Sequence, residues 1–240
     1  MIYPRANFAA PHGLPGALIV VEGVDGSGKS TQLQLLDNFL RSLGYGVLFS
    51  EWNSSELVSA AIKKAKKKGR LTPRTFCLLH AVDFADRINT MIRPALEAGM
   101  IVLCDRYCYT AFARDVSRGL ERAWVRKLYN FAIRPDAAFY FRVPVEVSLS
   151  RILTARVPNF YEAGMDLHLS PDPIESYRIF QGRNITEYDE MVLEYGIHLL
   201  DATLPIHPQQ EKFRQIVSEE VLSRLSPRPS RTVRRSRAHA

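Results

Sequence analysis

Cysteine is scarce: Cys77, Cys104 and Cys108 are the three in 240 residues, an odd number with no CxxC pair. That excludes a disulfide framework and argues against a zinc site, and it fits reduced thiols in a cytoplasm. Cys104 and Cys108 bracket a CDRYC segment, where plain packing is the expectation for so readily buried a residue type. Long apolar runs are also missing. The run near the start, ALIVV, falls far short of the roughly 18 residues of a membrane span, and the opening MIYPRANFAAPHGLPG has neither a signal core nor a cleavage pattern. Residues 1–16 therefore read as a loose arm rich in Pro and Gly. Acid is absent from the other end. The tail from Ser226 to Ala240 carries five Arg and no Asp or Glu, so it holds five of the seven net positive charges and leaves +2 for the rest. A segment of this composition buries too little apolar surface to order itself, and it is expected to be a solvated, disordered tail. Once the tail is set aside, the charge gives no support to a nucleic-acid role. The cluster KKAKKKGR, Lys63 to Arg70, ends an expected helix and suits the negative end of its dipole.

The hydrophobic share of 46% and charged share of 24% permit one substantial soluble core over 17–225. Within it, strands alternate with helices. Ala17 to Glu22 is a continuous apolar run of the kind buried in a parallel sheet, and it enters a glycine turn. Lys29 to Leu43 places Leu33, Leu36, Leu40 and Leu43 at helical spacing and stops before Gly44. Tyr45 to Ser50 is a second strand. Thr72-Pro73 caps a long helix expected to run to about Ala98, with Gly99 as its stop. Met100 to Cys104, Ala137 to Phe141 and Ile197 to Leu200 complete five strands. Such alternation predicts an α/β fold with a parallel sheet covered on both faces.

Gly23 to Ser30, GVDGSGKS, matches the phosphate-binding pattern G-x-x-x-x-G-K-[ST] in the setting that gives it meaning, after a strand and at the start of a helix. Gly26 and Gly28 let the backbone approach a ligand, and successive N–H groups with the helix N-terminus make an anion nest. Gly23, Asp25, Ser27 and Thr31 belong to the same cradle. Lys29 is expected on the β- and γ-phosphates of a nucleoside triphosphate and Ser30 on Mg²⁺. The next strand runs straight into Asp105-Arg106-Tyr107. At the carboxyl edge of an open α/β sheet, Asp105 stands where it can hold Mg²⁺ through water or accept a proton, and Arg106 where it can pair with a phosphate.

These residues, with VEGVDGSGKST at 21–31, LLHAVDFADRINTMIRPALEAGMIVLCDRY at 78–107, RPDAAFYFRVPVEVSLSRI at 134–152 and LLDAT at 199–203, resemble the thymidylate kinase family. The resemblance implies a P-loop three-layer α/β/α fold with a five-stranded parallel sheet and a mobile lid over about 151–183. It also implies ATP as donor, Mg²⁺, and commonly a homodimer. Asp25 would face the acceptor sugar, and Arg106 would lie between the two phosphate sites. Asp201, Ala202 and Thr203 would lie near the adenine. Arg151 and Arg156 are the lid candidates for stabilising the moving phosphoryl group.

The acceptor letters depart from the family. Its usual Arg-Glu-Pro triplet, whose Arg clamps the acceptor phosphate, is replaced by Glu51, Trp52 and Asn53. The positions of the base-stacking Phe and base-bonding Arg hold His80 and Phe84, with Arg87 one turn on. After DRY, where the family commonly reads Ser-x-x-Ala-Tyr-Gln, Thr110 stands for Ser, Ala113 keeps the Ala, and Arg114 and Asp115 replace Tyr and Gln. Two accounts are open: a rewired pocket, in which Arg114 takes over the clamp and Trp52 or Phe84 stacks on a base, or an acceptor other than dTMP. The sequence reading is ATP-dependent phosphorylation of a nucleoside monophosphate, dTMP first. Its alternatives are a different small acceptor, or an ATP-binding switch without transfer.

Overall fold

The computed structural model describes residues 10–67, 69 and 71–225. The expected arm lies partly outside them, as do Lys68, Arg70 and the whole tail. The described part of the arm is held down: His12 Nε2 lies 2.8 Å from Asp136 Oδ2, and the Gly16 N–H bonds the Leu96 carbonyl at 2.8 Å.

Five parallel strands stand in the order β2-β3-β1-β4-β5. They are β1 (Ala17–Glu22), β2 (Val47–Glu51), β3 (Ile101–Asp105), β4 (Ala137–Arg142) and β5 (His198–Asp201). β1 is central, pairing Val21 with Asp105 on one side and with Phe139 on the other. Its side chains alternate between two cores, as the pleat requires. Leu18 and Val20 pack with Phe84, Val102, Tyr107, Phe112 and Tyr140 on one face. Ile19 and Val21 pack with Leu33, Leu36, Phe139, Phe141 and Phe213 on the other.

The first face is covered by α3 (Pro73–Arg87), α4 (Arg93–Glu97), α5 (Cys108–Val116), α6 (Arg122–Leu128) and part of α8 (Pro173–Tyr195). The second is covered by α1 (Lys29–Ser42) and α9 (Ile206–Glu220). Between them in sequence, α2 (Ser59–Lys67) follows β2 and α7 (Val145–Leu153) follows β4. Cys77, Cys104 and Cys108 are free and buried, as packing residues should be.

One expected element is divided. The helix opening at Thr72, whose Oγ1 accepts from the Thr75 N–H, does not run unbroken to Ala98. A π-helical turn occupies Ile88–Ile92, and the Arg93 N–H reaches back five residues to the Ile88 carbonyl. Pro94 follows at once; with no N–H it cannot continue the i→i−4 ladder, and the wider turn absorbs the break. Strand bounds also move: β2 begins at Val47 because the Tyr45 N–H still bonds the Leu40 carbonyl at the end of α1.

Candidate active site

The glycine loop leaves β1 at the carboxyl edge of the sheet, beside β3. The two strands diverge there, since β1 leads outward to β2 while β3 leads across to β4, and that crevice is where such sheets bind ligands. Gly26 has φ 78°, and a Cβ on it would lie 2.6 Å from the Ser148 carbonyl oxygen of α7. Gly28, at φ 85°, caps α1 and has nothing within 4 Å of that position, so the cradle is open toward the ligand side. Ser30 Oγ donates to Asp105 Oδ2 at 2.5 Å, while Asp105 Oδ1 is buried without a partner. Ser27 Oγ is likewise buried and unpaired. These are hard oxygen donors, and two of them meet across the crevice; the set suits Mg²⁺, which takes few protein ligands and completes its shell with water and phosphate oxygens.

Beside the Ser30–Asp105 pair stands a compact charge cluster. Arg106 adopts φ 74°, a left-handed conformation that costs a non-glycine residue roughly 1–2 kcal/mol. It is fixed there by its N–H on the Val21 carbonyl at 2.9 Å and by an ion pair with Asp25. Lys29 Nζ is 3.9 Å from the same Asp25 oxygen. Burial raises the Asp25 carboxyl, but Arg106, Lys29 and Arg114 outweigh it and hold the group well below the usual carboxylate range. Asp25 is therefore a fixed anion. Burial also works against the Arg106 charge, and Asp25 more than restores it, keeping the guanidinium protonated at any working pH.

Under this cluster lies a residue that motif reading passed over. Glu22, the last residue of β1, is wholly buried and accepts from the Tyr107 N–H at 2.8 Å, the Thr110 N–H at 3.2 Å, Thr110 Oγ1 at 2.6 Å and Tyr188 Oη at 2.9 Å. Burial raises its carboxyl. Its place in a run of buried strand residues was the available signal, because a carboxylate there must be satisfied by partners. Thr110 accordingly faces Glu22, with Arg106 Nη1 3.4 Å away on the other side.

At the end of β2, the turn that follows is tied to α3. Asp83 accepts from the backbone N–H of Asn53 at 3.2 Å and of Ser55 at 2.9 Å. Glu51 is exposed, and Asn53 takes φ 65° with its Oδ1 buried and unpaired. Trp52 stacks with His80 at a centroid distance of 5.9 Å and lies 6.0 Å from Phe84. His80 Nδ1 lies 2.7 Å from the Phe76 carbonyl and so carries the proton, which leaves Nε2 a buried acceptor without a partner. Arg87 is fully buried, bound to Asp83 at 3.0 Å and Ser50 at 3.0 Å, with its guanidinium 5.4 Å from the Trp52 ring. Its Nη2 remains unpaired. Phe84 is buried between Tyr107 and Tyr129, so its role is core packing as well as the Trp52 contact.

A cavity of about 360 Å³ opens between Asp25, Lys66 of α2, Arg114 of α5 and, from the segment after α7, Arg156, Asn159, Phe160, Tyr161 and Glu162. The segment after α7, where a lid was expected, is organised by Glu162, which accepts from Arg156 Nη1 at 2.6 Å and from the Asn159 N–H at 2.9 Å. It is tied to α5 by Arg118, which donates to the Tyr161 carbonyl at 3.0 Å and to Asp166 at 3.0 Å. Arg151 spans a different gap, donating to the Gly26 carbonyl at 3.3 Å and the Ala202 carbonyl at 2.9 Å, and so joins the cradle to the loop after β5. There Asp201 accepts from the N–H and hydroxyl of Thr203. Lys66 was expected on a solvated helix end; it is half-buried in the cavity wall instead.

The sheet order, the cradle and the Ser30–Asp105 pair define a P-loop kinase. A family model described as thymidylate kinase matches residues 21–212. The probable thymidylate kinase 2 of Saccharolobus solfataricus is 44% identical over 209 residues, covering 86% of this chain and 97% of that protein. The probable thymidylate kinase of Thermococcus kodakarensis is 34% identical over 62% of this chain and 77% of its own length. The thymidylate kinase of Desulfotalea psychrophila is 36% identical over 59% and 71% respectively. The chain belongs to the thymidylate kinase family. Among the described residues, no helix is long and apolar enough to cross a membrane.

Proposed function

We propose that this protein transfers the γ-phosphoryl group of ATP to dTMP, giving dTDP and ADP. The reading rests on the Ser30–Asp105 pair beside the open glycine cradle, in a chain whose family match spans residues 21–212. An oxygen of the dTMP phosphate attacks the γ-phosphorus, the bond to the β,γ-bridging oxygen breaks, and ADP leaves with that electron pair. The attacking monoester is already mostly dianionic near pH 7, so no general base is needed, and the protein's task is positioning and charge stabilisation.

The α1 N-terminus and Lys29 hold the donor phosphates, while Arg151 sets the cradle against the loop of Asp201, Ala202 and Thr203 at the adenine end. Ser30 and Asp105 would hold Mg²⁺, which would supply charge neutralisation at the donor phosphates. Arg106 stands between donor and acceptor phosphates, oriented by Asp25 and supported from below by Glu22 through Tyr107 and Thr110. Arg156 closes the donor side from the lid, and Arg114 replaces the cation that β2 does not supply. Trp52, with His80, Asn53 and the Arg87 guanidinium around it, forms the wall for the base. The chain acts as a homodimer in the cytoplasm, with 17–225 as its kinase domain.

The test is ADP formation with Mg²⁺ against dTMP, dUMP, the other nucleoside monophosphates, free nucleosides and no acceptor. The expected result is stimulation greatest with dTMP. Silence with dTMP and a response to another acceptor would make Glu51, Trp52, Asn53 and Arg114 determinants of a different specificity. Stimulation by nucleic acid without a phosphorylated product would overturn the kinase reading.

A further inference from the structure

The cavity beside Asp25 holds an imbalance of charge. Of the cations on its wall, Arg156 is neutralised by Glu162, while the side chains of Lys66 and Arg114 form no hydrogen bond or ion pair with the described residues. The neighbouring Arg106 is neutralised by Asp25. Lys66 reaches the cavity over two aromatic rings, its Nζ 5.1 Å from the centroid of Phe76 and 6.0 Å from that of the lid residue Tyr161, which themselves stack at 5.4 Å. This is a cation held in place by apolar walls and facing an empty polar space. β2 brings no positive charge to it, since the strand ends in Glu51 and is followed by Trp52 and Asn53.

We infer that Lys66 binds the phosphate of the acceptor nucleotide, together with Arg114, from the α2 side of the pocket. The inference rests on the acceptor being a nucleoside monophosphate, as proposed above. Two unneutralised cations at one cavity repel each other, and a phosphate dianion between them removes the repulsion and gains charge-assisted hydrogen bonds from both. Because the rings under Lys66 come from α3 and from the lid, the same contact couples phosphate binding to lid closure. The titration behaviour agrees: burial, with Arg114 and Arg118 adding to it, lowers the Lys66 ammonium to about 8. Burial, with Arg106 and Arg118, lowers Arg114 to about 10. The other charged groups facing Lys66 are Asp83 and Asp166, which oppose the shift, and His80, which burial keeps neutral. Asp25, Arg156 and Glu162 complete the ring around the cavity.

The experiment compares binding of dTMP, thymidine and inorganic phosphate to the full chain and to Lys66→Met and Lys66→Arg, by calorimetry from pH 7 to 9. Methionine keeps the apolar stem over Phe76 and Tyr161, so the fold and the aromatic contacts should survive, and a melting curve checks this. Lys66→Met should weaken dTMP by about 10- to 100-fold and leave thymidine unchanged, with Lys66→Arg restoring most of the loss. In the unaltered protein dTMP affinity should fall as pH rises through about 8, and Lys66→Met should flatten that limb. Equal dTMP affinity in Lys66→Met, or an equal loss of thymidine, would overturn the inference and leave Lys66 a packing residue. Failure of the unaltered protein to bind either dTMP or phosphate would overturn it as well. Phosphate bound through Lys66 without any binding of dTMP would sustain the inference and sink the dTMP reading instead.

Discussion

Gly26 and Gly28 have similar positive φ angles but opposite surroundings, so alanine at each separates strain from collision. At Gly28, φ 85° with open space on the Cβ side, alanine costs only the left-handed penalty of roughly 1–2 kcal/mol. At Gly26, φ 78°, the same penalty applies, and the new Cβ would sit 2.6 Å from the Ser148 carbonyl oxygen and 3.2 Å from Ile152 Cγ1. Both atoms belong to α7, which must then shift against the buried face it packs on, adding about 1–3 kcal/mol as in overpacked cores. For a chain of this size, about 2–4 °C of melting temperature follows each kcal/mol. Gly28→Ala should therefore lower the melting temperature by roughly 2–8 °C and Gly26→Ala by roughly 4–20 °C, read by calorimetry without ligand. Activity should split differently. The Gly28 Cβ enters the space where donor phosphates bind, so Gly28→Ala should raise the ATP KM about tenfold or more. Equal melting temperatures for the two variants, or an ATP KM unchanged in Gly28→Ala, would refute the reasoning about which side of the loop is open.

Three further outcomes are expected. Lys29→Ala should reduce transfer by roughly 100-fold or more while leaving the melting temperature close to the original, because Lys29 makes only a long ion pair; steady-state rates check it. Arg114→Ala should raise the acceptor KM with the ATP KM unchanged, and equal effects on both would remove Arg114 from the acceptor site. Burial lifts the Asp115 carboxyl to about 6 against the lowering effects of Cys77, Arg118 and Arg114. Because the folded value lies above the unfolded one, its contribution to stability is complete below about pH 4 and is lost as pH rises through about 6. Asp115→Asn should therefore remove up to roughly 3 kcal/mol of that decline, seen as a flatter stability profile between pH 4 and 6 by denaturant titration.

What the sequence made legible follows from local causes. The cradle and its helix are encoded in one continuous stretch from Gly23 to Ser42, and the central strands are unbroken apolar runs, so both could be placed from short-range pattern. The π turn at Ile88–Ile92 was also written locally, in Pro94, but helical periodicity alone carries no mark of where a wider turn will absorb a missing N–H. The site's supports are less visible because they depend on approaches between distant segments. Glu22 finds Tyr188 across 166 residues, and Lys66 becomes a pocket residue only because Phe76 and the lid residue Tyr161 close around it. A run of lysines at a helix end looks the same whether one of them faces water or a cavity. Thr110 shows the converse: its position in the motif suggested an open pocket, and the buried carboxylate beneath it took its hydroxyl instead.

The central claim is that the cradle and the cationic cavity hold a donor and an acceptor on either side of Arg106. The most direct measurement is the fate of a γ-labelled phosphoryl group when the protein is given ATP, Mg²⁺ and dTMP. Label should appear in dTDP, equal in amount to the ADP formed, with little in inorganic phosphate. Label released as inorganic phosphate regardless of acceptor, or no ADP formed with any nucleotide, would contradict it.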